Sequence, residues 1–255
     1  MDSTAREHMH RRRANFARRT ADSHAAFFLP HLRPGMALLD LGCGPGSITV
    51  GLAAAVAPGP TTGVDRDPGL PEGGHDITLV PADVHDLPFP DASFDAIFAS
   101  ALLQHVADPL AVLREARRVA RPGAVIGLVD ADWDGELLHP TNPVLQRSYE
   151  LMRQMRAGTS PFVGKRLRSL LAEAGFERCE GYARATHHGT PDETRGIGEF
   201  TASLFGYPAS ALRMVTEGWA TREEMAEIQG AWRAWGEEPG AFLARFWCEA
   251  VGWAP

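Results

Sequence analysis

Residues 37–46 read Ala37-Leu38-Leu39-Asp40-Leu41-Gly42-Cys43-Gly44-Pro45-Gly46. The apolar run before Gly42 is too short for a helix and has the length of a buried strand. The glycines that follow permit a tight turn and a close approach of the backbone to a ligand. A helix predicted over residues 47–56 would direct unpaired N–H groups at the same place. The stretch therefore predicts a strand–turn–helix unit with a small-molecule site at the turn.

Strands and helices alternate through the chain outside this stretch. Short apolar runs predict strands over residues 61–64, 77–80, 94–99, 124–129, 176–186 and 242–251. Helical patterns cover residues 4–29, 108–120, 143–156, 164–174 and most of 191–237. The alternation in the first half is typical of a parallel, doubly wound sheet. The sequence thus predicts an α/β fold with seven strands.

Two features of the turn distinguish between S-adenosylmethionine (SAM) and NAD as cofactors: the spacing of its glycines and the acid that precedes it. The glycines are spaced GxGxG, and Ser47 stands where the dinucleotide fingerprint GxGxxG requires a glycine. Asp40 would repel a pyrophosphate, but it could hold an ammonium group directly or through water. SAM carries an amino group, a carboxylate and a sulfonium, and it has no phosphate. The turn therefore favours SAM over NAD.

Two further acids follow strands of the predicted sheet. Asp65 ends the strand after the turn, about 20 residues past the glycines, where a carboxylate can bind ribose hydroxyls. Asp83 follows the next strand and could accept a hydrogen bond from an adenine amino group. Carboxyl ends of parallel strands share one edge of a sheet, where ligands bind in such folds. The alternative interpretation is that each acid is an ordinary loop residue.

Several motifs in residues 38–130 resemble one known family. Besides the turn, they are Gly63-Val64-Asp65, Ala82-Asp83, Leu87-Pro88-Phe89-Pro90-Asp91-Ala92-Ser93-Phe94-Asp95 and Arg117-Arg118-Val119-Ala120-Arg121-Pro122-Gly123. In combination they are similar to the UbiE, or type 11, SAM methyltransferases. The segments Arg19-Thr20-Ala21-Asp22-Ser23 and Ala231-Trp232-Arg233-Ala234-Trp235 resemble an actinobacterial and fungal branch of that family.

The resemblance implies a Rossmann-like class I methyltransferase fold. Such a fold has a doubly wound, mostly parallel, seven-stranded sheet with an antiparallel last strand and a helical lid. We expect residues 1–255 to form one domain. Within it, residues 1–30 would form an N-terminal helical lid, 36–131 the SAM-binding core, and 135–237 helical elements of the lid and acceptor pocket.

The resemblance also implies which residues bind SAM or its product, S-adenosylhomocysteine (SAH). They are Arg19, Thr20, Asp40, Gly42, Cys43, Gly44, Gly46, Asp65, Arg66, Asp83, Val84, Ser100 and His105. Between Asp65 and Ile77 the chain departs from the family, because it is short and rich in proline and glycine where the family has a full helix. This departure affects one wall of the expected adenine pocket.

Methyl transfer is an in-line displacement in which the protein mainly positions the nucleophile and excludes water. A base is needed only when the acceptor must lose a proton. His105 follows the fourth strand and is the candidate base, or alternatively a residue that braces the loop. Asp132 is a second catalytic candidate at the acceptor pocket, or an acid of a solvent loop. Asp130 to Asp134 imitate a calcium loop, but Thr141 replaces its final glutamate, so no metal is expected.

These features predict an enzyme that methylates an O, N or C atom of a small, apolar molecule, such as a secondary metabolite or a quinone-like compound. Two alternatives remain: a SAM- or SAH-binding protein of the same fold that regulates or catalyses another step, and a nucleotide-dependent oxidoreductase, which Asp40 disfavours. A net charge of −7 gives no reason to expect nucleic acid as a partner.

The remaining expectations concern location and assembly. No stretch reaches the roughly 18 to 20 apolar residues of a membrane span, and no apolar run of a secretory signal follows the basic start. The three cysteines are scattered without a CxxC pair, which favours a reducing, cytoplasmic location. We expect a monomer or homodimer.

Overall fold

A computed structural model describes residues 19–69, 76–206 and 208–255. The chain divides into two compact units, and each is described by itself. The core unit contains the described residues of 19–132, 158–184 and 247–255. The helical unit contains 133–157 and the described residues of 185–246. The prediction of one domain over 1–255 stays a prediction.

The described elements follow one another in this order: α1 (Ala21–His24), β1 (Leu38–Leu41), α2 (Ser47–Val56), β2 (Thr61–Asp65), β3 (Ile77–Pro81), β4 (Phe94–Ser100), α3 (Pro109–Val119), β5 (Ala120–Ala131), β6 (Leu137–His139), α4 (Pro143–Met155), α5 (Leu167–Glu173), β7 (Glu177–His188), α6 (Pro191–Gly206), α7 (Pro208–Thr216), α8 (Arg222–Glu237) and β8 (Phe242–Trp253). Three short 3-10 turns, at Leu29–His31, Leu103–His105 and Gly164–Arg166, lie between them.

The sheet of the core unit confirms the predicted fold class. Its strand order is β3-β2-β1-β4-β5-β8. The neighbours from β3 to β5 are parallel, whereas β8 is antiparallel to β5, with Gly127 opposite Val251. This is the mostly parallel, doubly wound sheet with an antiparallel last strand that the sequence analysis predicts.

The number of strands differs from the predicted seven, because the described residues form eight. The additional strand is β6, which pairs with Phe242–Ala244 of β8 inside the helical unit. It has only three residues and an exposed Leu137, so it lacks the apolar run by which a buried strand is detected.

The strand before the glycine turn is buried at every position because it lies between two parallel neighbours. Asp40 of β1 pairs with Gly63 on one side and Phe98 on the other. Alternate side chains enter apolar clusters on opposite faces of the sheet: Leu39 joins one cluster, and Leu38 joins the other. A sheet covered on both faces requires such apolar central strands.

The two helices predicted over residues 47–56 and 108–120 are confirmed, with ends at or within one residue of the predicted ones. The helix α2 spans residues 47–56 as predicted, and Asp108 caps α3 by accepting a hydrogen bond of 3.0 Å from the backbone N–H of Ala111. The strand β5 begins earlier than predicted, at Ala120 rather than at residue 124. It continues through Pro122 and Gly123 because a register shift opposite β4 accommodates them.

The predicted N-terminal helix is only partly described, since residues 1–18 of the expected lid lie outside the described residues. In the remainder, the prediction of one helix to residue 29 is wrong. Thr20 caps α1, which ends after His24, and a separate 3-10 turn follows at Leu29–His31. The reciprocal hydrogen bonds of Thr20 with Ser23 start a new helix at this point.

The helical unit has its own apolar core around Trp232, which is fully buried. Its indole Nε1 donates a hydrogen bond of 3.0 Å to Ser148 Oγ, which connects α8 to α4. Thr221 caps α8 by accepting from the backbone N–H of Glu224 at 3.1 Å. Within the part of the chain that the structure describes, no helix combines the length and apolarity needed to cross a membrane.

Candidate functional site

A cavity of about 560 Å³ lies in the core unit. Its lining comes mainly from the turn after β1 and from the carboxyl ends of β2, β3 and β4. The described lining residues are Arg19, Asp40, Gly42, Cys43, Gly44, Pro45, Ser47, Ile48, Asp65, Arg66, Ala82, Val84, His85, Ser100, Ala101, Leu102, His105, Val106, Ala107 and Gly158. This is the sheet edge where open α/β folds bind ligands.

The glycine turn lines part of the cavity. Its backbone adopts a conformation that residues other than glycine rarely adopt. Gly42, Gly44 and Gly46 all have positive φ, at 69°, 51° and 73°. A Cβ atom on Gly44 would meet no atom within 4 Å, so the backbone borders open space there. The turn thus brings bare backbone to the start of α2, as the sequence predicts.

Asp40 places an ionisable group beneath the turn. Its side chain is buried, and Oδ2 accepts a hydrogen bond of 2.6 Å from Thr49 Oγ1 of α2. Burial raises the pKa of Asp40 to about 7, the nearby charge of Asp65 raises it further, and the Thr49 hydrogen bond opposes the shift. A cationic ligand group would favour the ionised carboxylate, so this corner of the cavity suits an ammonium.

Asp65 connects the end of β2 to the glycine turn. Its Oδ2 accepts from the backbone N–H of Gly44 at 3.0 Å, and Oδ1 accepts from the backbone N–H of Asp67 at 3.1 Å. Each carboxylate oxygen has two lone pairs, so acceptor capacity remains for ligand hydroxyls. The two predicted features, the turn and the second acid, are therefore in direct contact.

The third predicted acid, Asp83, is placed differently. It is not among the described residues that line the cavity, whereas Ala82, Val84 and His85 are. Its Oδ1 accepts from the backbone N–H of His85 at 3.0 Å and lies 2.8 Å from the ring Nδ1 of the same residue. Its Oδ2 accepts from Arg66 Nη2 at 3.2 Å. The adenine-binding role of Asp83 stays a prediction.

The end of β4 and the 3-10 turn after it also line the cavity. Ser100 Oγ is buried and has no hydrogen-bond partner among the described residues. His105 lines the cavity and is exposed at the end of the 3-10 turn that follows β4. Buried Asp130 holds this turn, because its Oδ2 accepts from the backbone N–H of Gln104 at 3.2 Å. A buried hydroxyl without a partner marks a position for a polar ligand group.

Arg19 adds positive charge to the same cavity. Its guanidinium carbon lies 5.0 Å from the centroid of the Trp247 ring, which is cation–π distance. Burial lowers the pKa of Arg19 to about 10, Asp130 partly opposes this shift, and Arg184 adds to it. Arg19 remains a cation at neutral pH and could pair with a ligand carboxylate.

Two other predicted residues, Thr20 and Gly46, are not among the described residues that line the cavity. Thr20 uses its hydroxyl to cap α1, and Gly46 is the first residue before α2. The remaining predicted cofactor contacts, apart from Asp83, all line the cavity. The sequence analysis missed apolar lining residues such as Ile48 and Leu102, as well as His85. Only their position beside the predicted motifs could have indicated them.

Asp132, the second catalytic candidate, is buried and is not among the described lining residues. Its Oδ2 accepts from the backbone N–H of Lys165 at 2.9 Å, and its Oδ1 lies 3.8 Å from Lys165 Nζ. A Cβ atom on Gly164 would lie 2.9 Å from Asp132 Cβ, so the fit is tight. Asp132 therefore anchors the 3-10 turn at Gly164–Arg166. Its catalytic role stays a prediction.

Comparison with known proteins finds similarity to methyltransferases. A family model described as a methyltransferase domain matches residues 39–128. A 27-O-demethylrifamycin SV methyltransferase from Amycolatopsis mediterranei is 29% identical over 82% of this chain and 75% of its own length. Residues 39–128 thus match a methyltransferase domain, and the sheet of the core unit has the topology of class I methyltransferases.

Two further proteins are similar to this chain. A Haloferax volcanii structure of a complex with the Trm112 methyltransferase activator has a TM-score of 0.57 at 20% identity, and the match covers 100% of this chain and 99% of that chain. At this identity the likeness shows the fold alone. A 37.1 kDa protein of a Streptomyces fradiae transposon is 38% identical over 56% of this chain, and the match spans 44% of that relative's length.

The chemistry of the described lining residues suits the functional groups of SAM. Asp40 and Arg19 suit the ammonium and carboxylate of the methionine part, and Asp65 suits ribose hydroxyls. The unpartnered Ser100 hydroxyl adds a buried polar position. Among the described residues, no group of three or more histidine, cysteine, aspartate or glutamate side chains could hold a metal ion.

Proposed function

We propose that this chain transfers a methyl group from SAM to an O, N or C nucleophile of a small, apolar molecule. The observation that supports the proposal best is the contact of Asp65 with the turn that also covers buried Asp40. Together these acids give the cavity a negative rim beside bare backbone. Such a rim favours a cationic nucleoside without phosphate over a dinucleotide.

The cofactor-binding roles follow from the chemistry of the lining residues. Asp40 would accept from the ammonium of the methionine part, and Arg19 would pair with its carboxylate. Asp65 would accept from ribose hydroxyls, and Ala82 and Val84 would border the adenine. When bound, SAM supplies a sulfonium methyl group that is already a strong electrophile. The chain's task is therefore to orient the acceptor and exclude water.

His105 is the proposed base when the acceptor must lose a proton. It lines the cavity on a turn that Asp130 fixes through Gln104. An imidazole at this position can take a proton from a hydroxyl or amine within hydrogen-bond distance. Asp132 would act indirectly, by holding the turn that begins at Gly164.

The remaining predictions stay proposals. Residues 135–237 would contribute to acceptor binding. The protein would act in the cytoplasm as a monomer or homodimer.

Binding and turnover are tested separately with the full chain. Titration calorimetry is expected to detect SAH binding and no NAD binding, and the reverse result would overturn the assignment. A single-turnover assay would then follow labelled methyl transfer from SAM into a bacterial extract. SAH binding without any labelled product would support the alternative of a binding protein that does not transfer methyl groups.

One acceptor can be tested directly because a relative's name states it. The chain is 29% identical to a 27-O-demethylrifamycin SV methyltransferase, so 27-O-demethylrifamycin SV is a suitable first acceptor. Methylation of its hydroxyl, detected by mass spectrometry, would show that the enzyme can use an oxygen nucleophile.

A further inference from the structure

A buried ion pair lies inside the helical unit. Arg245 Nε of β8 lies 2.7 Å from Oε1 of Glu136, the residue before β6. The contact is one of charge, because this Nε–H is not aligned for a hydrogen bond. The Glu136 side chain is only 8% exposed, and that of Arg245 is 22% exposed. Arg245 therefore neutralises a carboxylate that is shielded from solvent.

Two buried oxygens at this pair have no hydrogen-bond partner among the described residues. They are Oε2 of Glu136 and the phenol oxygen of Tyr149 on α4. Burial raises the pKa of Tyr149 above its ordinary range, the charge of Glu136 raises it further, and Arg245 opposes the shift. The phenol thus lies close to both charged groups without being aligned for a hydrogen bond to either, and it keeps its proton at neutral pH.

The two oxygens offer complementary chemistry to a ligand. The carboxylate oxygen of Glu136 can only accept a hydrogen bond, whereas the protonated phenol of Tyr149 can donate one. A hydroxyl group both donates and accepts, so one hydroxyl satisfies both residues. A carbonyl group only accepts and would leave Oε2 without a donor. An ammonium group would bring a second cation to a carboxylate that Arg245 already neutralises.

We propose that Glu136 and Tyr149 form a binding site for a hydroxyl group of the methyl acceptor. Glu136 Oε2 accepts from the ligand O–H, and the Tyr149 phenol donates to the ligand oxygen. The inference deepens the proposed function and rests on it, since it takes the ligand to be the acceptor. Glu136 determines specificity, because an ether in place of the hydroxyl lacks the hydrogen that the buried Oε2 requires.

The test compares two probes, 2-naphthol and its methyl ether 2-methoxynaphthalene, of which only the first has an O–H donor. Calorimetric titration of the wild-type chain at pH 7.5 is expected to show a preference for 2-naphthol of roughly tenfold. In Glu136→Gln, Arg245 retains the amide oxygen, so the NH2 group replaces Oε2 and offers a donor instead of an acceptor. The preference is then expected to fall below about threefold. Glu227→Gln, at an exposed position of α8, should keep the wild-type preference.

Tyr149→Phe has a different expected result. It removes a donor from which the oxygen of either probe can accept, so both affinities should fall by roughly fivefold while their ratio is kept. Tyr182→Phe, at an exposed position of β7, is the matched control and should leave both affinities unchanged. Urea unfolding shows whether each variant is folded. If Glu136→Gln does not fold, the wild-type ratio and Tyr149→Phe decide the question.

The outcomes distinguish this inference from the function on which it rests. No binding of 2-naphthol, equal wild-type affinities for the two probes, an unchanged preference in Glu136→Gln, or unchanged affinities in Tyr149→Phe would each overturn the inference alone. Titration of the same chain with SAH tests the proposed function. Failure to bind SAH, with the expected probe preferences, would overturn the proposed function and with it the identification of the ligand as the acceptor.

Discussion

Thr49 Oγ1 donates a hydrogen bond of 2.6 Å to Asp40 Oδ2 in the buried space between α2 and β1. This bond holds the carboxylate at the glycine turn without a described cation beside it. Because burial raises the pKa of Asp40 to about 7, a proton and a ligand ammonium compete for the same group near neutral pH.

The first prediction is a pH-dependent affinity for SAH. Affinity is expected to rise as the pH increases from 6 to 8, because Asp40 must be ionised to pair with the ammonium. Asp40→Asn should bind SAH at least roughly tenfold more weakly at pH 8 and should lose most of this pH dependence. Calorimetry across this range measures both effects.

The free energy of unfolding provides a control for Asp40, because its pH dependence has the opposite sign to that of SAH affinity. The folded-state pKa is above the ordinary value of 3.8, so the folded state binds the proton more tightly. The contribution of Asp40 to the free energy of unfolding therefore falls as the pH rises from about 4 to about 7. Asp40→Asn should be no less stable than wild type at pH 8. A large loss of stability would contradict this account.

The second prediction concerns Asp65. Asp65→Ala should weaken SAH binding by at least roughly tenfold, because it removes the proposed ribose acceptor and the hydrogen bond to Gly44 N–H. Asp86→Ala, which changes an exposed acid of a nearby loop, is the matched control. Unchanged affinity in the Asp65 variant would remove the ribose assignment.

The third prediction separates ligand binding from folding at Ser100. Its buried hydroxyl has no described partner, so Ser100→Ala should leave the free energy of unfolding unchanged or raise it by about 1 kcal/mol. The same change should weaken SAH binding by roughly fivefold if the hydroxyl contacts the ligand. Urea unfolding and calorimetry give the two values, and a stability loss without an affinity loss would indicate a structural hydroxyl.

The fourth prediction tests His105 as the base. His105→Ala should lower labelled methyl transfer by at least roughly a hundredfold, while the SAH dissociation constant changes less than about threefold. His187→Ala serves as the exposed histidine control. Equal losses of affinity and transfer would support the bracing role instead.

The fifth prediction concerns the core of the helical unit. Trp232→Phe should lower the free energy of unfolding by about 1–3 kcal/mol, because it removes buried apolar area and the hydrogen bond to Ser148. Arg233→Ala breaks the half-exposed ion pair with Glu199 and should cost less than about 1 kcal/mol. Similar effects of both changes in urea unfolding would contradict the assignment of Trp232 to the core.

Much of the fold could be predicted because its signals are local. The apolar run before Gly42 has the length and burial of a central parallel strand, and the helix over 47–56 has the expected ends. The short strand β6 could not be predicted, since a strand of three residues, two of them exposed, carries no burial pattern. Likewise, the break in the expected N-terminal helix depends on the cap that Thr20 forms with Ser23.

The sequence by itself determined the glycine turn, the acids after successive strands and hence the edge of the sheet where the cavity lies. Backbone conformation and strand order depend on residue type and short-range spacing, which a sequence displays directly. Only the tertiary structure decided which side chains meet in the cavity. Arg66 and His85 both contact Asp83 and both line the cavity, whereas Asp83 is not among the described lining residues. The orientation of a side chain depends on such partners and on packing, and these exist only once the chain has folded.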